Sequence, residues 1–231
     1  MTDFMAARHK VAIAGLVLDG LSGKPIAGAH LELTAKPTAY EEKLSWLKAG
    51  RSVQGLKAQS PDTTRTRFDG LFFFLDLPEG SYKLVGFMPK KGVSRSPLGL
   101  ANRDQQDPFQ SKGDKRYGKA QFDAAVSYGP EGFGRLTVLR LQPTGIKGRV
   151  VTFSKQTAVL LAEVRIKGSG EKTFTDAEGQ YTISGILPNE RRQRTVQVRA
   201  RGYRDQSVEV MIDKPGTCTK LEDIRLVREG E

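Results

Sequence analysis

The feature that most constrains this chain is an internal repeat. The second half contains TDAEGQYTISGILP at 175–188, and the first half contains TRFDGLFFFLDLP at 66–78. The matching positions keep a constant spacing of 109 residues: Thr66, Gly70, Phe72 and Phe74 correspond to Thr175, Gly179, Tyr181 and Ile183. A repeat of this kind indicates that one structural module is used twice.

A second set of matches lies nearer the start of each copy, at a spacing of 133 residues. Gly15, Ala29, Leu31 and Leu33 correspond to Gly148, Ala162, Val164 and Ile166. The two spacings differ by 24, so the first copy carries 24 additional residues between its halves. We therefore predict an N-terminal arm at 1–9, a first module at 10–142 and a second module at 144–231.

Within each copy, apolar residues alternate with polar ones, which predicts half-buried β-strands. Asp69-Gly70 and Glu178-Gly179 predict tight turns between strands. We expect the alternating apolar positions to form the cores: Leu31, Leu33, Phe72, Phe74, Val164, Ile166, Tyr181 and Ile183. Many short strands punctuated by turns predict an all-β protein made of two tandem β-sandwiches.

Two strings in the first copy resemble the carboxypeptidase regulatory-like domain. They are GLVLDGLSGKPIAGAHLEL at 15–33 and TRFDGLFFFLDLPEGSYKL at 66–84. The resemblance implies an Ig-like, transthyretin-like sandwich of seven strands for each copy. Arg67 departs from the family's usual Asp, and the second copy has TFSKQTAVL at 152–160 where the family has a D-x-x-G-x-P turn. A fold-level resemblance implies little about activity.

An insert is predicted in the first copy at about 36–60, and it contains a short helix at 38–50. Tyr40, Leu44 and Leu47 recur at helical spacing and predict a packed face. Trp46 falls on the other side of this helix. Single short helices usually serve packing, so we expect the insert to cover part of a sheet. The alternative is a docking handle with Trp46 as an exposed anchor.

A long loop insertion is predicted at about 89–132, because the segment is too long for an ordinary hairpin loop. Arg116, Tyr117 and Phe122 combine a basic side chain with aromatic ones, which can bind phosphates and stacked bases. The alternative is a segment that becomes ordered against a neighbouring protein subunit, with the same three residues among the contacts. A strand at 135–141 then completes the first module.

An arginine group occupies 191–204 of the second copy. The candidates for partner binding are Arg191, Arg192, Arg194, Arg199 and Arg201. Exposed arginines could bind an anionic partner, or they could protect an edge strand from pairing with another chain. The sequence leaves both interpretations open.

Motifs for catalysis and metal binding are sparse. The two histidines, His9 and His30, have no neighbouring cluster of ligands at metal-binding spacing. The transthyretin-like fold also includes hydrolases, which need several histidines, and iron dioxygenases, whose two histidines lie in a neighbourhood that neither His9 nor His30 occupies. Asp176 and Glu178 supply too few oxygens for calcium, and a hydrogen-bonded turn explains them. We expect no enzyme, no catalytic or metal-binding residue and no cofactor.

The net charge of +11 favours anionic partners, although a solvated basic surface is the simpler interpretation. The single cysteine, Cys218, fits a reducing compartment. Val11–Leu18 is better explained as a buried strand than as part of a signal peptide. No apolar run reaches the ~20 residues that span a bilayer. We therefore expect a cytoplasmic protein.

These observations favour a non-enzymatic structural or binding protein that serves as an accessory subunit of a larger assembly. Modules of the family it resembles occur in extended bacterial machines, so the resemblance leaves open a phage-tail-like contractile particle. One alternative is a carbohydrate-binding module, although the single tryptophan lies in the helical insert. The other is a basic module that binds nucleic acid or another anionic surface, which depends on charge alone.

Overall fold

The architecture described below comes from a computed structural model of the 231-residue chain. The residues that it describes are 10–54, 61–89, 113–127, 136–187 and 193–230, with the side chains of 47–54 left aside. Each of the two compact units that the chain forms is described by itself.

The first unit comprises Met1–Asp114 and Lys119–Leu141. Its strands are β1 (Val11–Asp19), β2 (His30–Ala35), β3 (Thr63–Arg65), β4 (Leu71–Leu75), β5 (Gly80–Phe87), β6 (Ala120–Val126) and β7 (Thr137–Leu141). They form one sheet of order β4-β1-β7 and another of order β3-β2-β5-β6. β1 pairs antiparallel with β4 and parallel with β7.

The second unit comprises Lys115–Gly118 and Gln142–Glu231. Its strands are β8 (Gly145–Thr152), β9 (Glu163–Ile166), β10 (Lys172–Phe174), β11 (Gln180–Ser184), β12 (Gln193–Arg199), β13 (Gln206–Met211), β14 (Cys218–Lys220) and β15 (Ile224–Leu226). One sheet has the order β10-β9-β12-β13, and the other has the order β11-β8-β14, with β15 also paired to β8.

The two units share one topology. Every strand pair of the first unit has a counterpart of the same direction in the second, from β1–β4 and β8–β11 to β5–β6 and β12–β13. The parallel strand β7 is matched by β14 and β15, which both run parallel to β8. The prediction of an all-β chain with two tandem sandwiches is therefore confirmed.

The predicted cores are buried in both units. All eight alternating apolar positions are at most 4% exposed. The pairing register also agrees with the repeat, because Gly15 faces Phe72 and Gly148 faces Tyr181. In each pair the aromatic ring fills the space where the glycine has no side chain. A Cβ on Gly15 would lie 2.3 Å from the Phe72 ring.

A buried threonine joins the β3–β4 connection of the first unit to the connection between β1 and β2. The Thr66 hydroxyl donates to the carbonyl of Ile26 at 2.7 Å and accepts from the amide of Ala29 at 2.9 Å. The Thr66 amide in turn donates to the carbonyl of Ala29 at 2.9 Å. Thr66 is only 6% exposed, so these bonds are made away from water.

The second unit repeats this threonine motif atom for atom. The Thr175 hydroxyl donates to the carbonyl of Val159 at 2.6 Å and accepts from the amide of Ala162 at 2.8 Å. The Thr175 amide donates to the carbonyl of Ala162 at 3.0 Å. The threonine that marks each repeat in the sequence is therefore a structural residue.

The loop after the first strand keeps its shape even though the second copy lacks the family's turn sequence. In the first unit, the Gly23 amide donates to the Asp19 carbonyl at 2.9 Å. In the second unit, the Gln156 amide donates to the Thr152 carbonyl at 3.0 Å. The string at 152–160 therefore forms the same turn with different side chains.

This conserved backbone places two non-glycine residues in the left-handed region. Gly23 has a φ of 69°, and its counterpart Gln156 has a φ of 52°. Gly28 has a φ of 74°, and its counterpart Leu161 has a φ of 56°. A residue with a Cβ is disfavoured there, so the second unit adopts this loop at a cost in stability.

The structure modifies both predicted inserts. The helix α1 runs over Thr38–Gln54, longer than the 38–50 that the sequence predicts. The prediction of a loop throughout 89–132 is wrong for Ala120–Val126, which form β6 and pair with β5. Three of the seven β6 residues are alanines, so the alternation has little hydrophobic contrast and the strand signal is weak. Residues 90–112 and 128–135 lie outside the described part.

Candidate protein-interaction surface

The outward side chains of β1 and β4 form an apolar face on the first unit. We define this apolar face as Ala14, Leu16, Leu71, Phe73 and Leu75. These residues alternate along their strands with core residues, so they point away from the core. The first four are half-buried, and Leu75 is 45% exposed.

The third strand of this sheet continues the apolar surface. Val138 on β7 is 46% exposed, and the preceding Leu136 is 53% exposed. Arg140, two residues further along β7, is the charged side chain at this rim. A groove of about 340 Å³ runs beside these residues, and Phe122 on β6 also lines it.

The second unit has charged and polar side chains at the positions that correspond to the apolar face. The counterparts of the apolar face are Lys147, Arg149, Gln180, Thr182 and Ser184, and all are exposed. The two backbones have the same strand order, and β1–β4 and β8–β11 pair in the same register except at Leu75, where β1 has a bulge, so the fold does not require apolar side chains at these positions. The apolar face is therefore a specific property of the first unit, and contiguous exposed apolar surface typically marks an interaction site.

Trp46 is a large hydrophobic residue that α1 leaves exposed. Its side chain is 80% exposed, whereas Tyr40 and Leu44 on the other side of α1 are buried at 2% and 4% exposure. The Tyr40 ring packs edge-on against Tyr82, and its hydroxyl donates to the carbonyl of Pro61 at 3.0 Å. α1 is therefore fixed by its packed side and leaves Trp46 available to a partner.

The three candidates from the long insertion do not lie in one place. Arg116 and Tyr117 belong to the second unit, where the Arg116 carbonyl accepts from the Thr144 amide and Tyr117 forms a bridge with Pro143. Phe122 belongs to the first unit, where it is half-buried on β6. Sequence proximity does not predict this separation, because the chain passes from one unit to the other between these residues.

Two of the three candidate arginines that the structure describes, Arg194 and Arg199, are engaged by groups of their own unit. The Arg194 guanidinium donates twice to the carbonyl of Leu187. Arg199 forms an ion pair with Asp205 at 2.7 Å. Arg201 is exposed in the turn after β12, and Arg191 and Arg192 lie outside the described residues.

The positions considered for metal binding have structural surroundings. The Asp176 carboxylate accepts from the amides of Glu178 at 3.1 Å and Gln180 at 2.7 Å, as in a hydrogen-bonded turn. His30 is buried against Phe87, and burial, together with the charge of Arg65, lowers its pKa below the usual 6.5. Within the described ranges, no three His, Cys, Asp or Glu side chains form a group that could hold a metal ion.

The described helix is too short and too polar to cross a membrane.

Sequence reasoning missed the apolar face, although the sequence contains its signal. β4 reads LFFFL and is apolar at every position, where a strand with one solvated face would alternate. Its counterpart β11 reads QYTIS and alternates as expected. Comparison of the two copies, position by position, would have identified the difference.

Comparison with known proteins gives one family match and several similar structures. Solved structures similar to this chain include the shaft pilin SpaA of Lactobacillus rhamnosus GG, with 10% identity and a TM-score of 0.40 over 97% of this chain and 99% of that one. The Bacillus anthracis TIE protein matches with 12% identity and a TM-score of 0.33, over 94% of this chain and 34% of that one.

A type II cohesin–X-dockerin complex from Acetivibrio cellulolyticus matches 36% of this chain with 17% identity and a TM-score of 0.28. The chain spans 56% of the length of that protein. No curated protein matches the sequence. The family model of the CarboxypepD_reg-like domain matches residues 146–224, which form most of the second unit.

Proposed function

We propose that this chain is a non-enzymatic subunit of a larger protein assembly and that the apolar face of the first unit binds another protein of that assembly. The observation that supports this most strongly is the contrast at matched positions: apolar side chains in the first unit, charged and polar ones in the second. Leu16 and Phe73 are replaced by Arg149 and Thr182 on the same backbone.

The apolar character of this face determines which kind of partner can bind it. None of its five side chains is charged, and Arg140 is the one cation within the three strands of this sheet, while Lys10 and Lys43 lie beside Asp76 at its end. A nucleic acid or other anionic surface would need several cations to replace its counterions, so it does not match this face. A protein surface with exposed aliphatic or aromatic side chains does match it, because burial of apolar area drives such association.

We also propose that the first unit is a second carboxypeptidase regulatory-like module, as the sequence resemblance implies. Its topology and threonine motif equal those of the second unit, which carries the family match. A phage-tail-like contractile particle as the assembly, and the cytoplasm as its location, remain predictions from the sequence. Docking through Trp46 is a further prediction, supported by its exposure.

Site-specific photo-crosslinking in the native cell tests the proposed interface. A benzoylphenylalanine at Phe73 should crosslink to a distinct protein, whereas the same probe at Thr182, its counterpart, should not. Leu16→Arg and Phe73→Thr introduce the residues of the second unit and should abolish copurification of the crosslinked protein. Phe174→Thr is the matched control, because Phe174 is an exposed aromatic on another sheet face at 53% exposure.

Three outcomes would contradict the proposal. A crosslink from Phe73 only to another copy of this chain would assign the face to self-association. Cosedimentation of the wild type with liposomes that Phe73→Thr abolishes would assign it to a membrane surface. Unchanged assembly of both face variants would show that the apolar face is not the interface.

A further inference from the structure

The second unit contains a pocket at a gap in the sheet that β8 forms with β11, β14 and β15. β14 ends at Lys220 and β15 begins at Ile224, and both pair with β8. Between them, residues 221–223 do not pair with β8, so its edge is open beside Gly148 and Arg149. One bond remains, from the Leu221 amide to the Lys147 carbonyl at 2.8 Å. The resulting pocket has a volume of about 400 Å³ and a mostly polar lining.

Three cations line this pocket. We define the cationic pocket by Lys147, Arg149, Lys220, Tyr181 and Asp223. Lys147 and Lys220 lie in register on adjacent parallel strands, so two like charges are neighbours. Among the described residues, no carboxylate lies within ion-pairing distance of the three cations. Asp223 is the single acid of the lining, which leaves the pocket an excess of positive charge.

The Tyr181 side chain brings a buried polar atom to the same pocket. The residue is 4% exposed, and its hydroxyl has no hydrogen-bond partner among the described residues. Buried hydroxyls are nearly always paired, so an unpaired one at a pocket wall indicates a missing partner. Burial, and secondarily the charge of Asp223, raises the pKa of Tyr181 to about 12, so the hydroxyl keeps its proton and can donate at neutral pH.

The first unit shows that the fold requires neither the tyrosine hydroxyl nor the cations at Lys147 and Arg149. The position of Tyr181 is held there by Phe72, which packs against Gly15 and is fully buried without a hydroxyl. Ala14 and Leu16 stand where the second unit has Lys147 and Arg149. Of the two units, the second alone therefore has the hydroxyl and the two cations, at neighbouring positions of a backbone that both units share.

We propose that the cationic pocket binds a carboxylate group presented by an acidic segment of another protein. The carboxylate oxygens would neutralise the paired lysines and accept the unused hydrogen bond of Tyr181. Three cations and one carboxylate leave the pocket a net positive charge that attracts anions, and Asp223, whose charge acts on Tyr181, opposes a second negative charge at the hydroxyl itself. The inference concerns the second unit and does not depend on the apolar face of the first.

Titration of the full chain with an acetylated, amidated hexaglutamate peptide at fixed ionic strength tests the proposal. We expect saturable binding by calorimetry, with amide chemical-shift changes centred on Gly148, Thr182 and Lys220. Lys147→Gln and Lys220→Gln should each weaken binding, whereas Lys155→Gln is the control, because Lys155 is an exposed lysine of the same unit outside the pocket. Equal weakening by all three variants would overturn the proposal, since it would indicate attraction by overall charge.

Tyr181→Phe separates the pocket from a general basic surface. Because Phe72 shows that phenylalanine fits this position, the variant should fold, and it should bind the peptide about tenfold more weakly, as expected for one lost hydrogen bond to a charged group. Unchanged affinity would overturn the role of the hydroxyl. Inorganic phosphate is the second probe, and its tighter binding at the same residues would overturn the assignment to a protein carboxylate.

Discussion

The buried threonine of each unit offers a direct test of how the repeat stabilises the fold. Thr175→Val keeps the shape of the side chain but removes the hydroxyl. The Val159 carbonyl then loses its donor at 2.6 Å, and the Ala162 amide loses its acceptor at 2.8 Å. Thr175 is 1% exposed, so water cannot take the place of the hydroxyl without a local rearrangement.

The expected loss of stability follows from these two unpaired backbone groups. A buried polar group left unpaired costs ~1–3 kcal/mol, so the loss of two such partners should lower the free energy of opening by about 2–6 kcal/mol. Thr66→Val should cost the same to within ~1 kcal/mol, because its hydroxyl makes the same two bonds at closely similar distances. The pair of variants therefore tests one motif twice.

Native-state hydrogen exchange measures the loss of stability at the amides that lose their acceptor. A loss of ~2 kcal/mol would accelerate exchange about 30-fold at Ala162 in Thr175→Val, and at Ala29 in Thr66→Val. Thr173→Val is the control, because the Thr173 hydroxyl makes no hydrogen bond to another described residue. A loss below ~0.5 kcal/mol at either threonine, or a difference above ~1 kcal/mol between them, would contradict this prediction.

Three further predictions concern single residues. Leu161→Gly should stabilise the second unit by ~0.5–1 kcal/mol in urea denaturation, because Leu161 has a φ of 56°, and Leu160→Gly should not stabilise it. The free energy of unfolding should fall as the pH drops below 6.5, because the buried His30 resists a protonation that the unfolded chain accepts. The fall should be at most ~1.4 kcal/mol per pH unit, and the same dependence of stability on pH in His30→Gln would contradict this prediction. Trp46→Ala should change stability by less than ~0.5 kcal/mol, since its side chain is 80% exposed, and a larger loss would mean that Trp46 contributes to packing.

Much of the fold could be predicted from the sequence because it depends on residue types with strong physical requirements. The turn glycines Gly70 and Gly179 have φ values of 78° and 72°, which few other residues adopt readily. The core positions, such as Leu31 and Val164, follow from alternation. These requirements recur in both copies, so each copy supported the interpretation of the other.

Other features could not be predicted because their residues carry weak or misleading signals. Gln156 and Leu161 occupy positions where glycine is expected, so the turn at 152–160 has no local signature. β6 is rich in alanine, which favours neither strand nor core strongly. In both cases the surrounding sheet, rather than local propensity, determines the backbone.

The candidate surfaces depend on comparison of the two copies rather than on motifs. LFFFL in β4 looks like a buried strand until QYTIS in β11 shows that one side of that strand faces outward. Likewise, Tyr181 looks like an ordinary core residue until Phe72 shows that the hydroxyl is additional. Such contrasts become visible once the structure fixes which positions correspond.

Hydroxyl-radical footprinting tests the central claim most directly, namely that the apolar face of the first unit is covered in the assembly. Oxidation of Leu71, Phe73 and Leu75 should be measured in the purified chain and in the assembly isolated from native cells, with Phe153 and Phe174 as exposed reference residues in the second unit. Oxidation of the three apolar-face residues should fall severalfold in the assembly while the reference residues stay reactive. Equal oxidation of the apolar face in both states would contradict it.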